Sequence, residues 1–80
     1  MNKNCTYRKF KKMDFYYVNK IAQENGDHEV HRSTCHYLPE EKDRIFLGCF
    51  GSCKDATLEA KRYFKQCNGC YHCCFLSHTA

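Results

Sequence analysis

His31-Arg-Ser-Thr-Cys35 and Cys70-Tyr-His-Cys73 are the two stretches of this 80-residue chain whose residue types and spacing carry chemistry. An imidazole and three thiolates are the donors a tetrahedral zinc site takes, usually as two close pairs from distant parts of a chain. The spacing therefore predicts one structural zinc ion held by His31, Cys35, Cys70 and Cys73. The Cys-x2-Cys half is the more specific, because the Asn68-Gly69 turn stands beside it; His28, Cys67 and Cys74 are each placed to replace a member of the set. Cys49-Phe-Gly-Ser-Cys53 also has ligand-like spacing, and with Cys67 and Cys74 it would complete a second zinc site. Cys49, facing inward from a strand, and Cys53, opening a helix, read instead as small packed hydrophobes; Cys5 in the basic N-terminal segment reads as an unpaired thiol, and Cys74 as a packed thiol beside the ligand Cys73.

Two other uses of eight cysteines compete with this one: buried thiols with no metal, and a disulfide scaffold. Compartment separates them. Met1 to Met13 reads MNKNCTYRKFKKM, without the apolar run and small-residue cleavage site of a secretory signal. No segment approaches the roughly 20 apolar residues of a membrane span. The expectation is a cytoplasmic protein that does not enter a membrane, and in the reducing cytosol cysteine clusters bind metal more often than they bridge.

The elements that must position the ligands follow from local pattern. Phe15-Tyr16-Tyr17-Val18 is aromatic and β-branched, hence a strand; Asn25-Gly26 supplies a turn; His28 to His31 returns as its hairpin partner. Pro39 and the charged run 40–43 mark a loop, and Arg44 to Phe50 reads as a third strand with Ile45, Leu47 and Cys49 on one face and Phe46 and Phe50 on the other. Ser52 is a good N-cap with Asp55 three residues on, so a helix is expected from Cys53 to about Lys65, with Ala56, Ala60, Tyr63, Phe64 and Cys67 as its inner stripe and Gly69 ending it. The fold class predicted is α+β: a small three-stranded antiparallel sheet packed on one helix and stapled by one zinc. Residues 1–12 form a flexible basic arm, 13–76 the single domain, and 77–80 a frayed tail.

At this point the pattern resembles a known one. A hairpin carrying an x3-spaced ligand pair, then a loop, a strand, an Ala56/Ala60 helix, Gly69 and Cys70-x2-Cys73 is similar to the zinc-binding module of the Ada DNA-repair family, over about residues 14–75. The histidine version also resembles small bacterial proteins of no assigned function. In the Ada family the first ligand of the x3 pair is a cysteine whose zinc-bound thiolate accepts a methyl group from a DNA phosphotriester. Histidine stands there in this chain, at His31. What the resemblance implies is the scaffold, with a staple in place of an alkyl acceptor.

Length, core and charge bound the function. Eighty residues make one small domain, and with few large aliphatics the twelve Phe and Tyr residues must carry most of the apolar area, so the core needs a cross-link. Six Lys/Arg against Asp14 give residues 1–20 a charge of +5, more than the whole chain's +4. Arg8, Lys9, Lys11 and Lys12 in the arm would meet a nucleic acid or a protein partner, with Tyr7 and Phe10 interleaved for stacking. No complete catalytic constellation is present, so the expectation is a monomeric binding module and not an enzyme. The alternatives are a thiol-based redox or sensor protein using Cys70 and Cys73, and a secreted disulfide-rich protein.

Overall fold

The alternation of Tyr16 and Val18 with Phe15 and Tyr17 gives a strand with two different faces. In the computed structural model, which describes residues 5–78, this strand is the third of six: β1 (Tyr7–Arg8), β2 (Lys11–Lys12), β3 (Asp14–Asn19), β4 (His28–Arg32), β5 (Arg44–Phe50) and β6 (Cys67–Gly69). One helix, α1 (Cys53–Ala60), lies between β5 and β6. Tyr16, Val18, Val30 and Leu47 are buried against Cys53, Ala56 and Ala60 of the helix, whose small side chains let it sit close to the sheet.

The class is α+β with a single α-helix, but the expected sheet is corrected in two ways. β1 and β2 pair with each other as a separate two-stranded ribbon, Tyr7 opposite Lys12. The main sheet has four strands in the order β5-β3-β4-β6, and it is mixed: β6 runs parallel to β4 with Val30 opposite Gly69. The physical reason is the early end of the helix. The amide N–H groups of Arg62 and Tyr63 donate to the carbonyls of Glu59 and Ala60 only three residues back, and the chain turns off there. Tyr63 and Phe64, aromatic and poor at propagating a helix, leave the expected stripe: Tyr63 is half exposed and Phe64 stacks on the His28 ring at 3.7 Å. Residues 67–69, expected to finish the helix, are thereby laid along β4.

The predicted arm over 1–12 and tail over 77–80 lie partly outside the described residues. Within residues 7–12 the ribbon turns through Lys9 and Phe10, both at positive φ, and the Met13 amide closes it on the Thr6 carbonyl at 2.7 Å. It leads directly into β3.

β5 departs from plain alternation. Ile45 and Phe46 pair with Val18 and Tyr17, but Gly48 pairs with Tyr16, so Leu47 is an inserted residue and the register shifts there. Gly48 has φ +124°, open only to glycine without strain. After this bulge the faces exchange. Cys49 pairs with Phe15 on the face away from the helix, while Phe50 turns inward to meet the Tyr16 ring at 6.2 Å. The expectation that Cys49 shares a face with Ile45 and Leu47 fails for this reason.

α1 begins as expected. Ser52 is extended, and its Oγ accepts the Asp55 N–H at 3.1 Å, satisfying one of the helix's unpaired donors. The Ser52→Ala variant should lose about 1 kcal/mol in urea unfolding with an unchanged slope. A loss below a few tenths would show that the helix start is held by other contacts.

Candidate metal centre

His31 and Tyr17 are direct antiparallel partners, so the imidazole rises from the sheet on the face opposite α1. A side chain there would ordinarily be wet, yet His31 is only 1% exposed. Two loops cover it. Beyond β4 the chain folds into a turn in which the Cys35 N–H donates to the Arg32 carbonyl at 3.0 Å, bringing Cys35 back over the strand end. From the other side β6 continues into 70–73: the Cys70 N–H bonds the Val30 carbonyl at 2.9 Å, and the Cys74 N–H closes a turn on the Cys70 carbonyl at 2.8 Å. Stacking of Tyr37 on His72, centroids 4.1 Å apart, closes the two loops over each other.

This brings together all four residues singled out by spacing. One ligand atom from each of His31, Cys35, Cys70 and Cys73 lies within 4.8 Å of every other, a group that could hold a metal ion. The Cys35 and Cys70 sulfurs are 3.9 Å apart. Two sulfurs each about 2.3 Å from a tetrahedral ion would be about 3.8 Å apart. Both ring nitrogens of His31 are buried and neither has a hydrogen-bond partner in the protein; Glu29 is 3.7 Å from Nε2, beyond bonding range. A buried donor or acceptor left that way costs about 1–3 kcal/mol, and coordination removes part of that cost.

The sulfurs are also prepared for negative charge. The backbone N–H groups of Tyr37, His72 and Arg32 point at the sulfurs of Cys35, Cys70 and Cys73, at 3.4, 3.4 and 3.3 Å. Each cysteine thus has one amide dipole directed at it, the outer-shell support that orients thiolate ligands. Arg32 reinforces the frame: Nε donates to the Cys73 carbonyl and Nη1 to Asp14, both at 2.8 Å, tying β3, β4 and the Cys70–Cys73 turn into one unit.

Burial pushes the Cys73 thiol up to about 12 and the Cys70 thiol above its usual value, whereas a reactive Cys-x2-Cys needs a lowered one. Burial lowers His31 to about 4, so the imidazole is neutral and able to ligate at neutral pH.

The remaining cysteines correct several expectations. Cys5 bonds Cys49 and Cys53 bonds Cys74, with Cα separations of 5.8 and 5.6 Å. Cys5 is therefore not an unpaired thiol, and no second zinc site forms from Cys49, Cys53, Cys67 and Cys74, because the bulge sends Cys49 to one face of the sheet and Cys53 packs on the other. Neither proposed substitute ligand on β4 or after the knuckle is available. His28 stacks on Phe64 and directs Nδ1 to the Asn19 carbonyl at 2.9 Å, and Cys74 is bridged. Cys67, a thiol like the three of the site, packs against the core and bonds the Phe64 carbonyl at 3.2 Å. The bridges had no local signal in the sequence, being formed between residues 44 and 21 positions apart.

Comparison with protein-family models, with curated proteins and with solved structures gives no match for this chain. Among the described residues, no helix is long and apolar enough to cross a membrane.

Metal binding must displace protons from Cys70 and Cys73, which are thiols at neutral pH, and none from His31. Affinity should therefore rise with pH by at least about a hundredfold per unit, tenfold for each of the two displaced protons, or about ten-thousandfold in all between pH 6 and 8, and weaken by the same factor on acidification. Calorimetry in buffers of different ionisation enthalpy counts the protons; release of fewer than two would show that these cysteines do not bind as thiolates.

Proposed function

We propose that the chain is a small binding module whose fold is stapled by one structural zinc ion at His31, Cys35, Cys70 and Cys73. The observation that carries the reading is the convergence of those four donors, with both His31 nitrogens buried and unbonded. Three thiolates and an imidazole in a tetrahedral arrangement suit zinc, and four protein ligands leave no position for water or substrate, so the ion holds the fold and performs no chemistry. The likeness to the Ada-type module is supported by ligand spacing alone, and His31 at the acceptor position supports a staple over alkyl transfer. Partner contact, with nucleic acid or protein, falls to the exposed cations Arg8, Lys9, Lys11 and Lys12.

A second reading, an exported protein, has support of its own. The Cys5–Cys49 and Cys53–Cys74 bridges fit an oxidising compartment, while the thiols at Cys35, Cys70 and Cys73 fit a reducing one or a metal that protects them. Both are satisfied when zinc and bridges coexist on one chain. The cytoplasmic reading requires the four bridging cysteines to be reduced in the cell.

Native mass spectrometry should find one zinc per chain, and the denatured, non-reduced chain should weigh about four daltons less than the reduced one, two per bridge. A folded, metal-free protein would overturn the zinc reading; a chain eight daltons light, about two for each of four bridges, would replace it with a disulfide scaffold.

The Cys70→Ser and Cys73→Ser variants should each be unfolded in dilute buffer, since structural zinc contributes on the order of 10 kcal/mol in small metallo-domains. The His31→Ala variant should be nearly as damaging, because His28 and Cys74 are committed elsewhere. Cooperative melting with one bound zinc in His31→Ala would remove His31 from the set.

A further inference from the structure

Beside the metal centre, the sheet face turned away from α1 carries a second feature that the staple does not use. Phe15 and Tyr17 of β3 share that face with Phe46 of β5, by direct pairing of Tyr17 with Phe46 and of Phe15 with Cys49. The rings cluster without stacking flat on one another: Phe15 and Phe46 have centroids 5.5 Å apart, Tyr17 and Phe46 5.3 Å, each pair tilted. The Arg44 guanidinium stands over Tyr17 at 4.6 Å from its centroid. With Glu41 these four residues line a cavity of about 290 Å³, and Phe46 remains 36% exposed.

The basic ribbon adjoins this face. β2 runs through Met13 into β3, and Cys5 is bonded to Cys49, the residue paired with Phe15. Arg8, Lys9, Lys11 and Lys12 are all exposed on it, and Phe10 at its tip is fully exposed. The Lys11 side chain lies against Gly51 at the end of β5, which anchors the ribbon a second time. Four cations are thus held at one end of a row of aromatic rings of which Phe46 is the exposed one, and Glu41 adds one carboxylate to the cavity lining.

An apolar protein surface laid on this face would have to desolvate Arg44 and Glu41. A double helix keeps its bases stacked inside and has no rings to offer. A single strand presents both complementary parts, unstacked base faces for the rings and phosphates for the cations. We propose that this face binds single-stranded nucleic acid, a base stacking on Phe46 and the backbone following the Arg8–Lys12 ribbon. The proposal rests on the binding-module reading and names its partner and contact residues.

The test is fluorescence anisotropy of the zinc-loaded, oxidised full chain with a labelled oligothymidylate of about 16 nucleotides, titrated over a range of salt, with zinc content read on every sample. Phe46→Ala should weaken binding about 5- to 100-fold. Phe46→Leu, which keeps apolar bulk and removes the π face, should weaken it comparably and guards against a folding defect. The triple variant Arg8→Gln, Lys9→Gln, Lys12→Gln, sparing Lys11, should lower the slope of log affinity on log salt by about 2. Reducing the Cys5–Cys49 bridge should also weaken binding by freeing the ribbon.

Wild-type protein that carries one zinc and does not bind the oligonucleotide overturns this proposal and leaves the staple standing. Binding unchanged in both Phe46 variants overturns it too, as does equal affinity for double-stranded DNA or for phosphatidylserine vesicles that survives Phe46→Ala. Loss of zinc without loss of oligonucleotide binding overturns the staple and not the face.

Discussion

A sheet has two faces to cover, and a chain with one eight-residue helix can cover one of them. The convergence of three cysteines on His31 closes part of the other. Val18, Val30, Tyr16 and Leu47 pack under α1, but His31 lies on the far side, where the described residues form no second layer, and is buried because the loops bearing Cys35 and Cys70–Cys73 fold over it. Those loops hold few apolar groups. They are held by backbone bonds, by the Tyr37–His72 stack and by Arg32, and their four donor atoms converge on a point where a bound metal would add the cross-link that so thin a core needs.

The same convergence explains the mixed sheet. A parallel pair as short as β4 with β6 adds little by itself, since parallel pairing requires a crossover and rewards it with few hydrogen bonds. Here the crossover is β5 followed by α1, and β6 leads into Cys70, which must arrive beside Val30 to face His31. Side-chain bonds assist. Gln66 and Asn68 both donate to the Asp27 carboxylate, at 2.7 and 3.2 Å, and hold its proton affinity down, Gln66 contributing most, so that the helix exit is tied to the β3–β4 turn.

The convergence of the four donors was legible because ligand-like pairs are written in local spacing. His31-x3-Cys35 and Cys70-x2-Cys73 are short-range patterns, as are the alternation of β3 and the Ser52 cap, and the structure brings the four donors together as the spacing suggests. What was not legible depended on long-range or single-residue geometry. The Leu47–Gly48 bulge reverses the faces of β5 through one inserted residue, and alternation counted past it gives the wrong side for Cys49 and Phe50. The end of the helix at Ala60 had only a weak local signal, the aromatic Tyr63 and Phe64, against a periodicity that runs on to Cys67, and the pairing of β6 with β4 that follows is not written in the helical pattern. The disulfide partners are far apart in the chain, and Cys5 sits in a segment whose like charges read as an unstructured arm.

Cys73 and Cys74, adjacent in sequence with sulfurs 3.9 Å apart, belong to two different groupings, Cys73 to the four donors that could hold a metal ion and Cys74 to the bridge with Cys53. That proximity gives the chain a kinetic problem during maturation. An oxidant reaching the reduced polypeptide before the metal does can join either neighbour to Cys53, and the wrong choice removes a ligand from the centre. Capture of an ion before oxidation would withdraw Cys73 from the pool of competing thiols and leave Cys74 to meet Cys53. The order of two assembly events, and not the stability of the finished fold alone, would then select the connectivity.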